Sequence, residues 1–234
     1  MRIQFRHYVL AFGAFLFGVA ISTLPAFASA GSGIIGLYNA SDPKAFDQAL
    51  RDAEPELTSK GCGVSRVGEV AGVQADIGLG DVNRLIHVTC RSTILDNAMG
   101  RAVLDSLSSA ASRVALLEGR YLDGPLDNGA PDGRAYILKL SRYSNSDPNA
   151  RDADLAALDR QVAGLDDVYQ NEVYLEVHRA MGMPTPDEAV LLYYPSSEAG
   201  ERFRANNQSL LEKIGRFNRA HLTEFAYYLI KPIR

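Results

Sequence analysis

The sequence predicts an α+β chain made of two copies of a β-α-β-β-α-β unit, and three observations predict it. The chain has 234 residues, 47% hydrophobic and 22% charged, which is enough apolar material for a core and too balanced in sign for disorder. A set of residues repeats: Tyr38, Ser41, Asp42, Pro43, Asp47 and Leu50 recur, in order and at one constant offset, as Tyr143, Ser146, Asp147, Pro148, Asp152 and Leu155. Apolar spacing then alternates between strand and helix periods in the same order in both halves.

The elements follow in chain order. Residues 1–30 carry Arg2 and Arg6 and no acid, then an apolar run over 8–24, Pro25, and two overlapping A-x-A sites, Ala26-Phe27-Ala28 and Ala28-Ser29-Ala30. A basic start, an apolar middle and small residues before the cut describe a secretory signal peptide. The run approaches the roughly 20 residues that span a bilayer, but the successive cleavage-type sites favour removal, so no lasting membrane anchor is expected. The first repeat, 31–122, reads as a strand at 33–39 and a helix at 43–57, with Phe46, Ala49, Leu50, Ala53 and Leu57 on one stripe. Strands at 62–70 and 83–91, a helix at 94–110 and a strand at 113–121 complete it. In each repeat Asp-Pro opens the first helix, Asp as N-cap and Pro at the first helical position. Residues 123–133 are dense in Gly, Pro, Asp and Asn and read as a linker. The second repeat, 134–234, reads as a strand at 135–143, a helix at 150–164 and strands at 168–179 and 188–194. A helix at 198–217 and a strand at 222–230 follow.

This is the ferredoxin-like order. A four-stranded sheet of this kind covers one face with its two helices and leaves the other face needing burial. Two ferredoxin-like repeats in one chain meet that need by packing sheet to sheet as an intrachain α/β barrel. In this arrangement the chain resembles the dimeric α/β-barrel superfamily in its fused form. The resemblance covers nearly all of the chain after residue 30 and is architectural. No short motif places it in a subfamily, so no catalytic residues are carried over. It implies functions as varied as cofactor-free oxygenases, isomerases, cyclases and haem-using enzymes. No cofactor is expected; haem is the lesser option and would need a histidine as axial ligand.

Strand alternation proposes the site. In the strand at 84–90, Ile86, Val88 and Cys90 suit the helix layer, which turns Leu85, His87 and Thr89 to the lumen. Placing Val173, Leu175 and Val177 under helices turns Tyr174, Glu176 and His178 to the lumen or solvent. The same logic turns Lys139, Ser141 and Tyr143 inward, opposite Tyr136, Leu138 and Leu140, and adds Tyr194, Glu224 and Tyr228. The expected site is therefore a pocket of tyrosines, histidines and carboxylates. His87 and His178 serve as bases beside Tyr174 as a catalytic donor, while Tyr143, Glu176, Tyr194, Glu224 and Tyr228 hold the ligand.

Other features narrow the function. Lys and Arg number 24 against 28 Asp and Glu, and two of the basic residues lie in the signal peptide, which argues against nucleic acid as a partner. The Gly31-x-Gly33-x-x-Gly36 pattern follows a cleavage site rather than a strand and is not read as a dinucleotide fingerprint. No serine-hydrolase elbow, zinc-protease, P-loop or C-x-x-C motif occurs, and no metal site is expected. The two cysteines fall opposite each other if the hairpin turn centres near residue 76. In an oxidising compartment a Cys62–Cys90 disulfide is expected. The reading is an exported protein binding a small, partly apolar molecule between its sheets, with an enzymatic role left open. The alternative is a non-catalytic protein-interaction module of the cell envelope.

Overall fold

The computed structural model describes residues 31–75, 77–95, 102, 104–123, 133–165 and 168–233. Residues 1–30, read from the sequence as a signal peptide, most of the segment read as a linker, and residues 96–101 and 103 of the helix expected at 94–110 lie outside the described residues. Eight antiparallel strands form one closed barrel. They are β1 (Ser32–Asn39), β2 (Cys62–Ala75), β3 (Arg84–Cys90), β4 (Ser112–Asp123), β5 (Ala135–Tyr143), β6 (Gln170–Met181), β7 (Glu188–Tyr194) and β8 (Leu222–Pro232). Round the barrel they run β1-β3-β2-β8-β5-β7-β6-β4. Each half supplies four consecutive strands in the ferredoxin-like order. The two sheets are not merely stacked: β2 pairs with β8 and β4 with β6, so both edges of each half are hydrogen-bonded to the other. Closure leaves no unpaired edge.

The helices form where local chemistry directs. The Asp42 carboxylate accepts from the Lys44 and Ala45 amides at the start of α1 (Pro43–Ser59), and Asp147 accepts from the Ala150 amide at the start of α2 (Pro148–Val162). α1 buries Phe46, Leu50, Ala53 and Leu57, the stripe read from the sequence. The single helix expected at 198–217 is two, α3 (Ser197–Asn206) and α4 (Gln208–His221). Asn207 leaves the helical region there, and its side-chain amide donates to the Phe203 carbonyl. Among the described residues no helix is long and apolar enough to cross a membrane.

Three apolar clusters result. One fills the lumen with residues such as Ile35, Leu37, Leu85, Leu117, Leu138, Leu175, Leu191 and Tyr228. One lies between the first half of the barrel and α1, and one under α3 and α4. Each fully buried Leu or Ile contributes about 1.5–3 kcal/mol, so the lumen itself is a principal source of stability. Cys62 and Cys90 are direct partners across β2 and β3 and form a disulfide, with Cα atoms 4.1 Å apart. The hairpin differs from expectation past this point. β2 pairs with β3 only as far as Glu69, then continues along β8 to Ala75.

Candidate active site in the barrel lumen

One end of the lumen is polar. β2 and β6 lie diametrically opposite in the barrel, and each carries a β-bulge, between Val64 and Arg66 and between Asn171 and Val173. A bulge re-aims a side chain. Here the bulges send Arg66 and Glu172, 106 residues apart and so near-equivalent in the two repeats, toward each other across the lumen. The guanidinium grips the carboxylate at two points, Nε to Oε1 at 2.7 Å and Nη2 to Oε2 at 3.0 Å. The Tyr136 hydroxyl donates to Oε2 at 2.7 Å, and Arg134 lies 3.5 Å from the same oxygen while stacking over the Tyr193 ring.

His87 stands beside this pair on β3 and is fully buried. Its Nε2 lies 3.0 Å from the Tyr121 hydroxyl, and its Nδ1 has no hydrogen-bond partner among the described residues. Burial first, and the Arg66 charge second, pull the imidazole down to about 3. It is therefore neutral throughout the physiological range. Burial raises the Tyr121 phenol to about 12. Tyr121 reaches His87 over Gly33, where a Cβ would come 3.0 Å from the phenol and 2.6 Å from a Leu175 methyl. The glycine pattern thus has a packing role. Among the described residues, two cavities of about 10 Å³ each, one bordered by Arg66 and Tyr136, have room for one water apiece.

No family model matches the chain, and no curated protein matches its sequence. Solved structures do match its fold. Chlorite dismutase from Candidatus Nitrospira defluvii, solved in complex with imidazole, superposes with a TM-score of 0.57 over 88% of this chain and 92% of that one, at 12% identity. An anthrone oxidase-like protein superposes with a TM-score of 0.52 over 87% and 92%, at 14% identity. The chain shares their fold, an eight-stranded antiparallel barrel with helices packed outside it. At such identities the likeness extends to the fold alone.

Within this α/β barrel, His87 and Tyr228 point into the lumen, as expected. Glu224 stands at the opposite mouth, paired with Arg142. The layer expected for several other residues is reversed. Val173, Leu175 and Val177, expected under helices, fill the lumen instead, so of the residues expected toward lumen or solvent Tyr174 faces outward and Glu176 and His178 reach solvent. Tyr136, Leu138 and Leu140 likewise fill the lumen and turn Lys139 and Tyr143 outward, against expectation, and Tyr194 packs under α3 against Phe203. Glu176 makes an exposed pair with Arg120, and the half-exposed His178 lies 3.7 Å from the buried Glu118 carboxylate. The cause is general: in a filled barrel the lumen is as apolar as the helix layer, and alternation does not say which apolar face is which.

Two of the outward residues do converge. Tyr143 and Tyr174 both donate to Glu188 Oε2, at 2.5 and 2.8 Å, and Lys139 donates to Oε1 at 2.8 Å. Burial opposes ionisation of Glu188, but the Lys139 charge and these three donors outweigh it and hold the carboxyl down to about 2. Arg151 of α2 stacks on the Tyr143 ring. With every carboxylate oxygen engaged, this cluster seats a helix and offers no open position to a substrate. Sequence reasoning missed Arg66, Tyr121, Glu172 and Glu188. The available signal was a charged residue inside an apolar strand at near-equivalent places in both repeats.

Haem requires a histidine facing a space large enough for a porphyrin. His87 is sealed in the lumen, His178 faces outward, and His221 lies 2.7 Å from Asp154. Beside cavities of single-water size, these described residues do not fit haem.

Proposed function

We propose that this is an exported protein that binds a small, partly apolar molecule at the polar end of its barrel, with His87 as the recognising group. One observation carries the reading. Beside the mutually bonded Arg66, Glu172 and Tyr136, the His87 ring is enclosed with Nδ1 unpartnered among the described residues. An unsatisfied buried polar atom costs about 1–3 kcal/mol, and a hydrogen bond from a ligand would remove that cost. A neutral imidazole with a pKa of about 3 is a poor proton carrier at neutral pH. The chemistry available is thus hydrogen bonding to a phenol, carbonyl or azole rather than base catalysis. The A-x-A sites after an apolar run and the Cys62–Cys90 disulfide support export to an oxidising compartment. Structural neighbours crystallised with imidazole and with cyanide are consistent with small ligands in this fold. The filled lumen favours a second reading, a non-catalytic module of the cell envelope whose barrel is purely a scaffold.

The test is the ¹⁵N resonance of His87 Nδ1, followed while phenol or imidazole is added. Binding moves this resonance and raises the unfolding temperature of the wild type but not of His87→Leu. An unmoved resonance with both ligands leaves the scaffold reading standing.

A further inference from the structure

Arg134 is only loosely engaged by the protein around it. It immediately precedes β5 at the rim of the lumen, and its guanidinium sits over the ring of Tyr193, a lumen residue, 3.9 Å from the centroid. The Tyr193 ring packs in turn on Tyr136, with centroids 5.7 Å apart. Stacking occupies the flat face of a guanidinium and leaves its edge, where the N–H groups lie, open to hydrogen bonds. Among the described residues little claims that edge. Both Glu172 oxygens are taken by Arg66, at 2.7 and 3.0 Å, and Oε2 also by the Tyr136 hydroxyl at 2.7 Å. Arg134 reaches the same carboxylate only at 3.5 Å and otherwise touches the Tyr136 hydroxyl. Its charge is therefore weakly matched, and at 18% exposure it meets solvent where Arg66, at 4%, does not. A second donor stands at this mouth. The Tyr193 hydroxyl donates to Gln170 Oε1 at 2.7 Å, which leaves the NH₂ of that exposed amide to donate elsewhere.

We propose that the molecule bound at the polar end is a small carboxylate, and that Arg134 holds its charged group. This rests on the reading that a small molecule binds at that end, and narrows its class. A carboxylate presents two oxygens that match the guanidinium edge in a two-point contact, which a phenol or an azole does not. It also supplies the close counter-charge that Glu172, spent on Arg66, does not give to Arg134. The His87 Nδ1, unpartnered among the described residues, belongs to the same polar cluster. The charged group docks at the rim, where Arg134 already meets solvent, so the packed lumen need not open to receive it.

The experiment is a titration of the full mature protein at pH 7 with acetate and with acetamide, which differ in charge and hardly in size. The ¹⁵N resonance of the Arg134 side chain follows binding. Charge-assisted hydrogen bonds are about twice as strong as neutral ones, so acetate should move this resonance and bind about tenfold more tightly than acetamide. Arg134→Gln, its fold checked by circular dichroism, should remove the preference. Arg120→Gln, in an exposed pair on the outer wall, should leave it unaltered. Failure of acetate to bind the wild type, or equal affinity for the two ligands, overturns the proposal without recourse to a variant. An equal loss in Arg120→Gln also overturns it, because acetate would then be reading surface charge in general. The His87 reading is judged apart, by phenol and imidazole. If either moves His87 Nδ1 while acetate and acetamide bind alike, the charge assigned to the ligand falls and the binding site stands.

Discussion

Acidification should destabilise this protein through one residue more than any other, and the size of the effect follows from where His87 sits. Unfolded, its imidazole titrates near 6.5; folded, it titrates at about 3, because burial and Arg66 oppose the cation. The folded-state pKa is depressed, so between these values the unfolded chain binds the proton and the folded chain does not. Stability from this residue is complete above about pH 6.5 and is lost progressively as pH falls toward 3. Between pH 7.5 and 5.0 the loss is about 2 kcal/mol, equivalent to about 4–8 °C in unfolding temperature for a domain of this size. The window avoids Glu188, whose carboxyl, held at about 2, loses its stabilising effect only below the ordinary range near 4.5. The comparison is urea unfolding of wild type and His87→Gln at both pH values. Gln keeps a donor near Tyr121 but does not titrate, and His178 and His221 are common to both proteins. The wild type should lose about 2 kcal/mol more than the variant over this interval. Equal losses would refute the placement of His87 as a buried neutral imidazole.

Four further outcomes follow from the packing. Glu172→Gln leaves the buried Arg66 guanidinium without its counter-charge and should cost about 3–5 kcal/mol in urea unfolding, whereas a joint apolar replacement of both residues should cost far less. Cys62→Ser/Cys90→Ser opens a loop with a sequence separation of 28 and should lower stability by about 3–4 kcal/mol; thiol titration of the denatured, unreduced wild type should find no reactive thiols. Gly33→Ala forces a Cβ to within 3.0 Å of Tyr121 and should cost about 1–3 kcal/mol, detected as a shifted His87 ring resonance. Glu188→Gln should make the loss of stability between about pH 4.5 and 2 smaller than in the wild type, leaving the part that His87 contributes down to about pH 3, read from thermal unfolding across that range.

The ion pair at the barrel's polar end bears on how the two halves hold together. Backbone pairing at the β2–β8 and β4–β6 seams closes the cylinder. Arg66 and Glu172 add a strut between its opposite walls. A buried pair is weak evidence for net stability but constrains geometry strongly, since only one register satisfies it. The bulges that aim both side chains are displaced ladder positions, so slipping either strand by one residue would turn its charge toward the helix layer.

The sequence by itself determined what depends on neighbours along the chain. The recurring Tyr, Ser, Asp and Pro marked two repeats, Asp42-Pro43 and Asp147-Pro148 marked two helix starts, and the Phe46-Leu50-Ala53-Leu57 stripe marked the buried face of α1. Even the partnership of Cys62 with Cys90 was legible, because a hairpin register is local. Only the tertiary structure decided which side of each strand faces the lumen. In β3 the histidine fell inward as read, but in β5, β6 and β7 the inward face is the apolar one, and Tyr143, Tyr174 and Tyr194 lie outside. Alternation with period two fixes which residues share a face and is silent on which layer that face meets. With both faces of the barrel wall buried, that choice is made by the volume of the lumen and by the polar partners waiting on either side, Arg66 and Glu172 within, Lys139 and Glu188 without. Those partners come from strands far apart in the chain, and only closure of the barrel brings them together.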